Sequence, residues 1–209
     1  MGAKLTTKCK ALKRDIDSYD NVCDHLLVID TEKGDVENPC VVGTYRLLRG
    51  NIATTTTDFY SEQEFELSNI IYAPEEILEL GRSCIDGQYR RKGAMQLLLC
   101  GISEYIETYG IKIILGCGSI HGTDLAASEK LLSYLYHYHL APKSIQPKAL
   151  SDRFQDMNIL NNYNKILVRI HNKIKYISKQ LVNDQCCWYV MPEMMIGIPK
   201  YDVKDCTAY

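Results

Sequence analysis

The sequence predicts an α/β protein, with a mixed sheet in a layer fold. Segments of strand character and segments of helical spacing follow one another as strand, strand, helix, strand, helix, strand, helix. The stretch from 76 to 120 reads as strand–helix–strand, with the length that a parallel crossover needs. The chain has 209 residues, 46% of them apolar, enough for one sizeable core and an appendage.

Taken in order, residues 1–20 are polar and charged. "NVCDHLLVID" (21–30) and "CVVGTYRLLR" (40–49) read as two strands of a hairpin that turns through Gly34–Pro39. "NIATTTTDFY" reads as a polar loop. Ser61 stands three residues before Glu64, a capping-box pattern that predicts a short helix over 61–71. "EILELGRSCI" (76–85) reads as a strand. Over 94–110, Leu97, Leu98, Ile102, Tyr105, Ile106 and Tyr109 recur at helical spacing, and Gly110 closes the run. "IKIILGCGSI" (111–120) is apolar at successive positions, which predicts a central strand covered on both faces. A further helix is expected over 124–140; its His137 and His139 are two apart, point in different directions and make a poor metal pair.

Beyond Pro147 the pattern weakens. We expect a core over 1–157 and a divergent, helical appendage over 158–209. Residues 163–182 carry an apolar stripe (Ile166, Ile170, Ile174, Ile177, Leu181) and five basic residues without a carboxylate. That helix reads as peripheral on an anionic membrane face, as a dock for an acidic protein, or as an ordinary solvated face.

The formal net charge of -2 gives no reason to expect nucleic acid as a partner. Nine cysteines, odd in number and without CxxC spacing, read as buried thiols of a reducing cytoplasm; Cys100 and Cys117 lie inside apolar runs. The opening residues lack the apolar segment of a signal peptide, and no run approaches a membrane span.

The most informative stretch is the junction of the 76–85 strand with the 94–110 helix. Arg90, Arg91 and Lys92 add positive charge where a helix N-terminus already presents unpaired N–H groups, and Gly87 and Gly93 allow the backbone to curl. Such a turn suits a phosphate or pyrophosphate, or is simply a solvated basic turn. "RRKGA" is half of the phosphate-gripping pattern of acyl-carrier-using N-acetyltransferases, with Met95 where a small residue is usual. On the strand itself, Glu79 and Arg82 should face opposite sides unless a β-bulge at Gly81 brings both to one face.

"CDHLLVID", "VVGTYRLLR", "DFYSEQEFEL", "ILELGRSCI", "LGCGSIHGTD" and "LSYLYHYHLAP" occur in this order, and over about residues 1–157 the sequence resembles the bacterial L-ornithine Nα-acyltransferases. It is more distantly similar to acyl-homoserine-lactone synthases. Their D-x-x-D, G-x-x-R-L and E-x-x-R signatures match Asp17/Asp20, Gly43/Arg46/Leu47 and Glu79/Arg82. The resemblance implies an N-acetyltransferase-like (GNAT) fold and an enzyme that places a 3-hydroxyacyl chain on the α-amine of L-ornithine. Acyl carrier protein is the implied partner and its phosphopantetheine thioester the co-substrate, with no permanently bound cofactor and no metal. The chain starts inside the family's opening strand–helix element, so we expect a core lacking its first strand. The family's glycine-rich last section has no counterpart in 158–209. A lactone-type signal synthase and a truncated, non-catalytic remnant are the alternatives.

Direct amide formation needs a neutral amine, an activated carbonyl and donors for the oxyanion, and no cysteine nucleophile. Glu79 is the candidate to hold or deprotonate the amine, and Arg82 to grip the substrate carboxylate. Backbone N–H groups from Gly81 to Ser83 are the candidate oxyanion donors. Asp17, Asp20 and Asp24 are expected either to attract a dicationic amino acid or to form a solvated acidic loop, Arg46 either to orient them or to pair structurally, and His121 to line the pocket. Arg90, Arg91 and Gly93 are expected to bind the phosphopantetheine.

Overall fold

The computed structural model describes Cys9 and residues 16–91, 93–118 and 125–160. In chain order its elements are β1 (Asp24–Gly34), β2 (Pro39–Arg49), α1 (Gly50–Thr56), β3 (Phe65–Glu66), α2 (Ser68–Ile71), β4 (Ile77–Ile85), α3 (Ala94–Tyr109), β5 (Ile113–Leu115), α4 (Leu125–Tyr138) and β6 (Lys148–Ala149). The described residues divide into two compact units. Cys9, 16–60 and 75–117 form one; 61–74, 118 and 125–160 form the other. The expected appendage helix over 163–182 lies outside the described residues.

The first unit is a mixed sheet of order β1-β2-β4-β5. β1 and β2 form the expected antiparallel hairpin, β4 adds antiparallel to β2, and β5 adds parallel to β4 after the α3 crossover. α3 buries Leu98, Ile102 and Ile106, positions four apart and hence stacked on one face. Ile102 and Ile106 meet Leu47 and Leu78 of the sheet, with Ile111 completing the cluster, while Leu98 packs with Ile85 and Ala94. Burying each such side chain contributes about 1.5–3 kcal/mol, so this seam sets where β4 lies.

The second unit pairs β3 antiparallel with β6, Phe65 opposite Ala149. In α4, Ser133 is fully buried: its Oγ donates to Met157 O at 3.3 Å and accepts from Leu160 N at 2.9 Å. Tyr134, 1% exposed, stands 3.2 Å by its hydroxyl from His139 Nε2.

Several elements depart from the sequence reading. The polar loop expected from residue 51 begins as helix α1. Its threonines satisfy their hydroxyls within the helix: Thr54 donates to Gly50 O at 2.9 Å and Thr56 to Ile52 O at 2.7 Å. Buried Ala53 anchors it. The helix expected over 61–71 is instead a short turn of 3₁₀ helix (Tyr60–Gln63), strand β3 and helix α2. β6 draws the chain out of helical form there, since Leu150 N donates to Glu64 O at 3.0 Å and the ladder takes the backbone groups. The strand expected over 111–120 spans only Ile113–Leu115 and stands at the end of the described sheet, not its centre. Cys100 and Cys117, expected inside, are exposed.

Candidate functional site

The site begins with a fault in the β2–β4 ladder. Leu48 pairs with Glu79, Leu47 with Leu80 and Arg46 with Gly81, but Thr44 pairs with Cys84. β4 therefore carries one residue more than β2 between these pairs, which is a β-bulge. The sequence placed it at Gly81; Gly81 keeps its partner, and the extra residue falls at Arg82–Ser83. Arg82 adopts φ 52, left-handed backbone that non-glycine residues rarely take. Leu78 faces α3, so alternation sends Glu79 and Gly81 to the opposite face, the one on which Arg46 lies.

On that face an ion network closes. Asp17 caps a short 3₁₀ helix (Ser18–Asn21), accepting from Tyr19 N at 2.9 Å, while Asp20 Oδ2 accepts from Asp17 N at 2.8 Å. Both carboxylates then receive Arg46: Nη1 stands 2.7 Å from Asp17 Oδ1 and 2.9 Å from Asp20 Oδ1. Arg82 Nη2 donates to the other Asp17 oxygen, Oδ2, at 2.7 Å. The bulge thus returns Arg82 to the side of Arg46. The Arg46 guanidinium lies 5.4 Å from the centroid of Tyr19, whose ring meets Tyr60 edge-on at 5.7 Å. Tyr60 N donates to Glu79 Oε2 at 2.8 Å.

Arg46 and Glu79 are 5% and 4% exposed, so each charge depends on these partners rather than on water. Burial pushes the Asp17 carboxyl up, but hydrogen bonds and charge from Arg46 and Arg82 outweigh it and hold it below the ordinary value. Burial likewise pulls Arg46 down, and Asp17 and Asp20 more than restore it. Cys23, read from the sequence only as one of nine buried thiols, lies within electrostatic reach of this network. Burial drives its thiol up to about 11, against Arg46 and with Glu79, Asp17 and Asp20. It is therefore a neutral thiol near pH 7, not a thiolate nucleophile. Nothing in its spacing marks it; only the fold brings it to the network.

The other candidates lie apart. Asp24 accepts from Tyr105 Oη at 2.5 Å and stands 3.9 Å from Arg49 Nε, so its partners come from α3 and the end of β2. Burial and that hydrogen bond raise the Tyr105 phenol. Ser83 sits exposed in the bulge. Arg90 and Arg91 are exposed, and Arg90 Nε donates to Ile85 O at 3.2 Å. Gly93 starts α3 with φ 85, where a side chain would be strained. Gly87, expected to curl the backbone, has no positive φ and nothing within 4 Å of a Cβ, so any residue fits there. His121 lies outside the described residues.

β4 also shapes its other edge. The parallel ladder with β5 covers Ile77–Glu79 against Ile113–Leu115, whereas β4 runs on to Ile85. At the ladder's end Gly116 packs on the β4 backbone; a Cβ there would stand 2.5 Å from Leu80 O.

Comparison with known proteins bears on the family and the fold. A family model described as an acetyltransferase (GNAT) domain matches residues 1–100, and a family of unknown function (DUF5759) matches 151–209. An L-ornithine N(alpha)-acyltransferase of Brucella abortus is 34% identical over 199 residues, covering 94% of this chain and 65% of that protein. The protein of the same name from Rhizobium meliloti is 42% identical over 140 residues, 66% of this chain and 47% of its own length. That from Rhodobacter capsulatus is 38% identical over 144 residues, 69% and 55% respectively. Over most of its length the chain is similar to L-ornithine N(alpha)-acyltransferases, and over residues 1–100 to the GNAT domain. It spans about half to two thirds of the length of these relatives. The family likeness and the GNAT-type α/β fold expected from the sequence are thereby borne out. No helix among the described residues is long and apolar enough to cross a membrane.

Proposed function

We propose that this chain is an N-acyltransferase that moves a 3-hydroxyacyl group from an acyl-carrier thioester to the α-amine of ornithine. The observation that carries the reading is the buried Glu79 carboxylate, fixed by Tyr60 N beside the Arg46–Asp17–Asp20–Arg82 network. The network offers carboxylates to ammonium groups and guanidiniums to a carboxylate. Free ornithine carries two ammonium groups and one carboxylate, and so complements it.

In the reaction Glu79 takes the proton of the α-ammonium, directly or through one water, and frees the nitrogen lone pair. The nitrogen attacks the thioester carbonyl and the C–N bond forms. The bulge at Arg82–Ser83 supplies N–H groups for the oxyanion, and the C–S bond then breaks as the surplus proton on the nitrogen passes to the departing thiolate, which leaves as the carrier thiol. Transfer is direct, because aminolysis of a thioester requires no covalent enzyme intermediate. The pantetheine arm lies along β4 where the β5 ladder stops, and its phosphate meets Arg90, Arg91 and Gly93. No cofactor stays bound between turnovers.

The test is purified chain with 3-hydroxyacyl-loaded acyl carrier protein and ornithine, the products read by mass spectrometry. Lyso-ornithine lipid is expected, and Glu79→Gln should lower kcat about 10²–10⁴-fold with folding intact by circular dichroism. A lactone product would assign the chain to signal synthesis instead. Unchanged turnover in Glu79→Gln would remove Glu79 from the chemistry.

A further inference from the structure

The turn between β4 and α3 holds more fixed structure than a solvated basic loop requires. Asp86 organises its start: Asp86 N donates to Val42 O at 2.9 Å, Asp86 Oδ1 accepts from Gln88 N at 2.8 Å, and Asp86 O accepts from Tyr89 N at 2.9 Å. Tyr89 reaches furthest. Its ring packs with Ile85, Ala94 and Leu98, against the first turns of α3. Its hydroxyl donates to Asp30 Oδ2 and accepts from Lys33 Nζ at 2.6 Å. Lys33 Nζ also stands 3.7 Å from Asp30 Oδ2 and 5.0 Å from the Tyr89 ring centroid. Asp30 and Lys33 belong to β1, at the far edge of the sheet from β5, so one side chain joins the turn to a strand 59 and 56 residues away.

The position of this tether matters. Tyr89 directly precedes Arg90, Arg91 and Lys92. Three like charges in succession repel, and a loose loop would spread them into solvent. A ring pinned at both its apolar body and its hydroxyl fixes the backbone at the point where the charges begin. The cost of ordering the loop is then met on folding rather than on binding, which is how preorganisation raises affinity. The bond to Asp30 also holds the phenol neutral, by raising it above its ordinary value, so the tether persists across neutral pH.

We propose that Tyr89, clamped by Asp30 and Lys33, is a positioning residue that sets the cationic turn for the phosphate of the acyl carrier's pantetheine arm. The proposal rests on the acyl-carrier reading above and adds a residue to it.

The test compares the full chain with Tyr89→Phe, which keeps the ring and removes both hydroxyl bonds, and with Asp30→Asn. Three quantities are read: amide hydrogen exchange over 86–91, the kinetic constants for donor and ornithine, and calorimetric binding of phosphopantetheine-bearing acyl carrier protein without an acyl group. Tyr89→Phe should speed exchange in the turn while leaving β4 protected, and raise donor KM and carrier Kd about five-fold, the worth of one or two partly exposed hydrogen bonds. Ornithine KM and kcat at saturating donor should stay at wild-type values, a split that general destabilisation does not produce. Unchanged exchange, or faster exchange with unchanged carrier Kd, overturns the proposal. A wild-type chain that binds carrier but forms no acyl-ornithine defeats the proposed reaction, while the carrier Kd of Tyr89→Phe still decides this inference. A wild-type chain that binds no carrier defeats the inference outright.

Discussion

The two ends of β4 carry the same kinds of side chain and use them in opposite ways. At Glu79–Arg82 every charge is tied to another: Arg46 to Asp17 and Asp20, Arg82 to Asp17, Glu79 to a backbone amide. Arg46 and Glu79 are buried. A few residues on, Arg90 and Arg91 stand exposed on a turn whose shape comes from Asp86 and Tyr89. Burial makes the difference. Inside, a charge without partners is costly, so the network must be complete for the protein to fold. Outside, a charge costs nothing to leave unpaired and remains available to a ligand. The first end should therefore fail as structure and chemistry together, and the second as affinity alone.

Arg46→Met should break this contrast most severely. It strips the shared cation from two carboxylates and leaves them facing Arg82 alone, a loss of about 3–5 kcal/mol. For a chain of this size each kcal/mol shifts Tm by about 2–4 °C, so calorimetry should show a fall on the order of 10 °C, with acyl transfer lost. The acid limb should move as well. The folded Asp17 carboxyl lies below its unfolded value of 3.8. Its contribution is complete above that value and disappears as pH falls through the lower, folded one. Arg46→Met shrinks the depression, so its acid-unfolding midpoint should lie at higher pH than that of wild type. An unmoved midpoint would mean that the Asp17–Arg46 pair contributes nothing to stability.

The same contrast explains what could be read from the sequence. β1, β2 and β4 were legible as short apolar runs bounded by turn residues, and α3 by its apolar residues at helical spacing. α1 was not, because "TTTT" reads as loop unless the hydroxyls find helical carbonyls, as Thr54 and Thr56 do. The 61–71 segment misled because β3 is made by its partner β6, more than 80 residues later, a pairing that no local pattern announces. In the site, Asp17, Asp20, Arg46, Glu79 and Arg82 could be named from their match to the signatures of acyl-homoserine-lactone synthases, but their connections could not. The bulge lies one residue beyond the glycine that suggested it, on an arginine with φ 52. Asp24, close in sequence to Asp20, turns to Tyr105, while Cys23, which no motif marked, lies within electrostatic reach of the network.

A milder break is available at the edge that the two ends share. Gly116 lets β5 end directly against Leu80 O, and the atom that a Cβ would strike at 2.5 Å is backbone, which cannot rotate away. Gly116→Ala should push β5 off β4 at the cost of overpacking, about 1–3 kcal/mol. The ladder at Glu79–Leu115 ends next to this contact, so Glu79 should be disturbed through its own backbone. A fall in Tm of about 2–10 °C, with kcat reduced more than ornithine KM is raised, is the expected outcome. A variant with wild-type Tm would show that β5 is free to shift without penalty.

The smallest structural effect belongs to the exposed turn, and it sharpens the comparison best. Arg91 is exposed, so Arg91→Gln should change stability by less than about 0.5 kcal/mol. Its charge should nonetheless matter to an anionic donor. An exposed cation acts through a screened field that falls off over about 10 Å at 0.1 M salt. Carrier binding by wild type should therefore weaken as salt rises, and that of Arg91→Gln should weaken less, the two curves approaching one another at high ionic strength. The same salt series on Arg46→Met, measured as stability, should change little, because the Arg46 pairs lie largely out of solvent. If salt erased both differences alike, burial would not be what separates the two ends of β4.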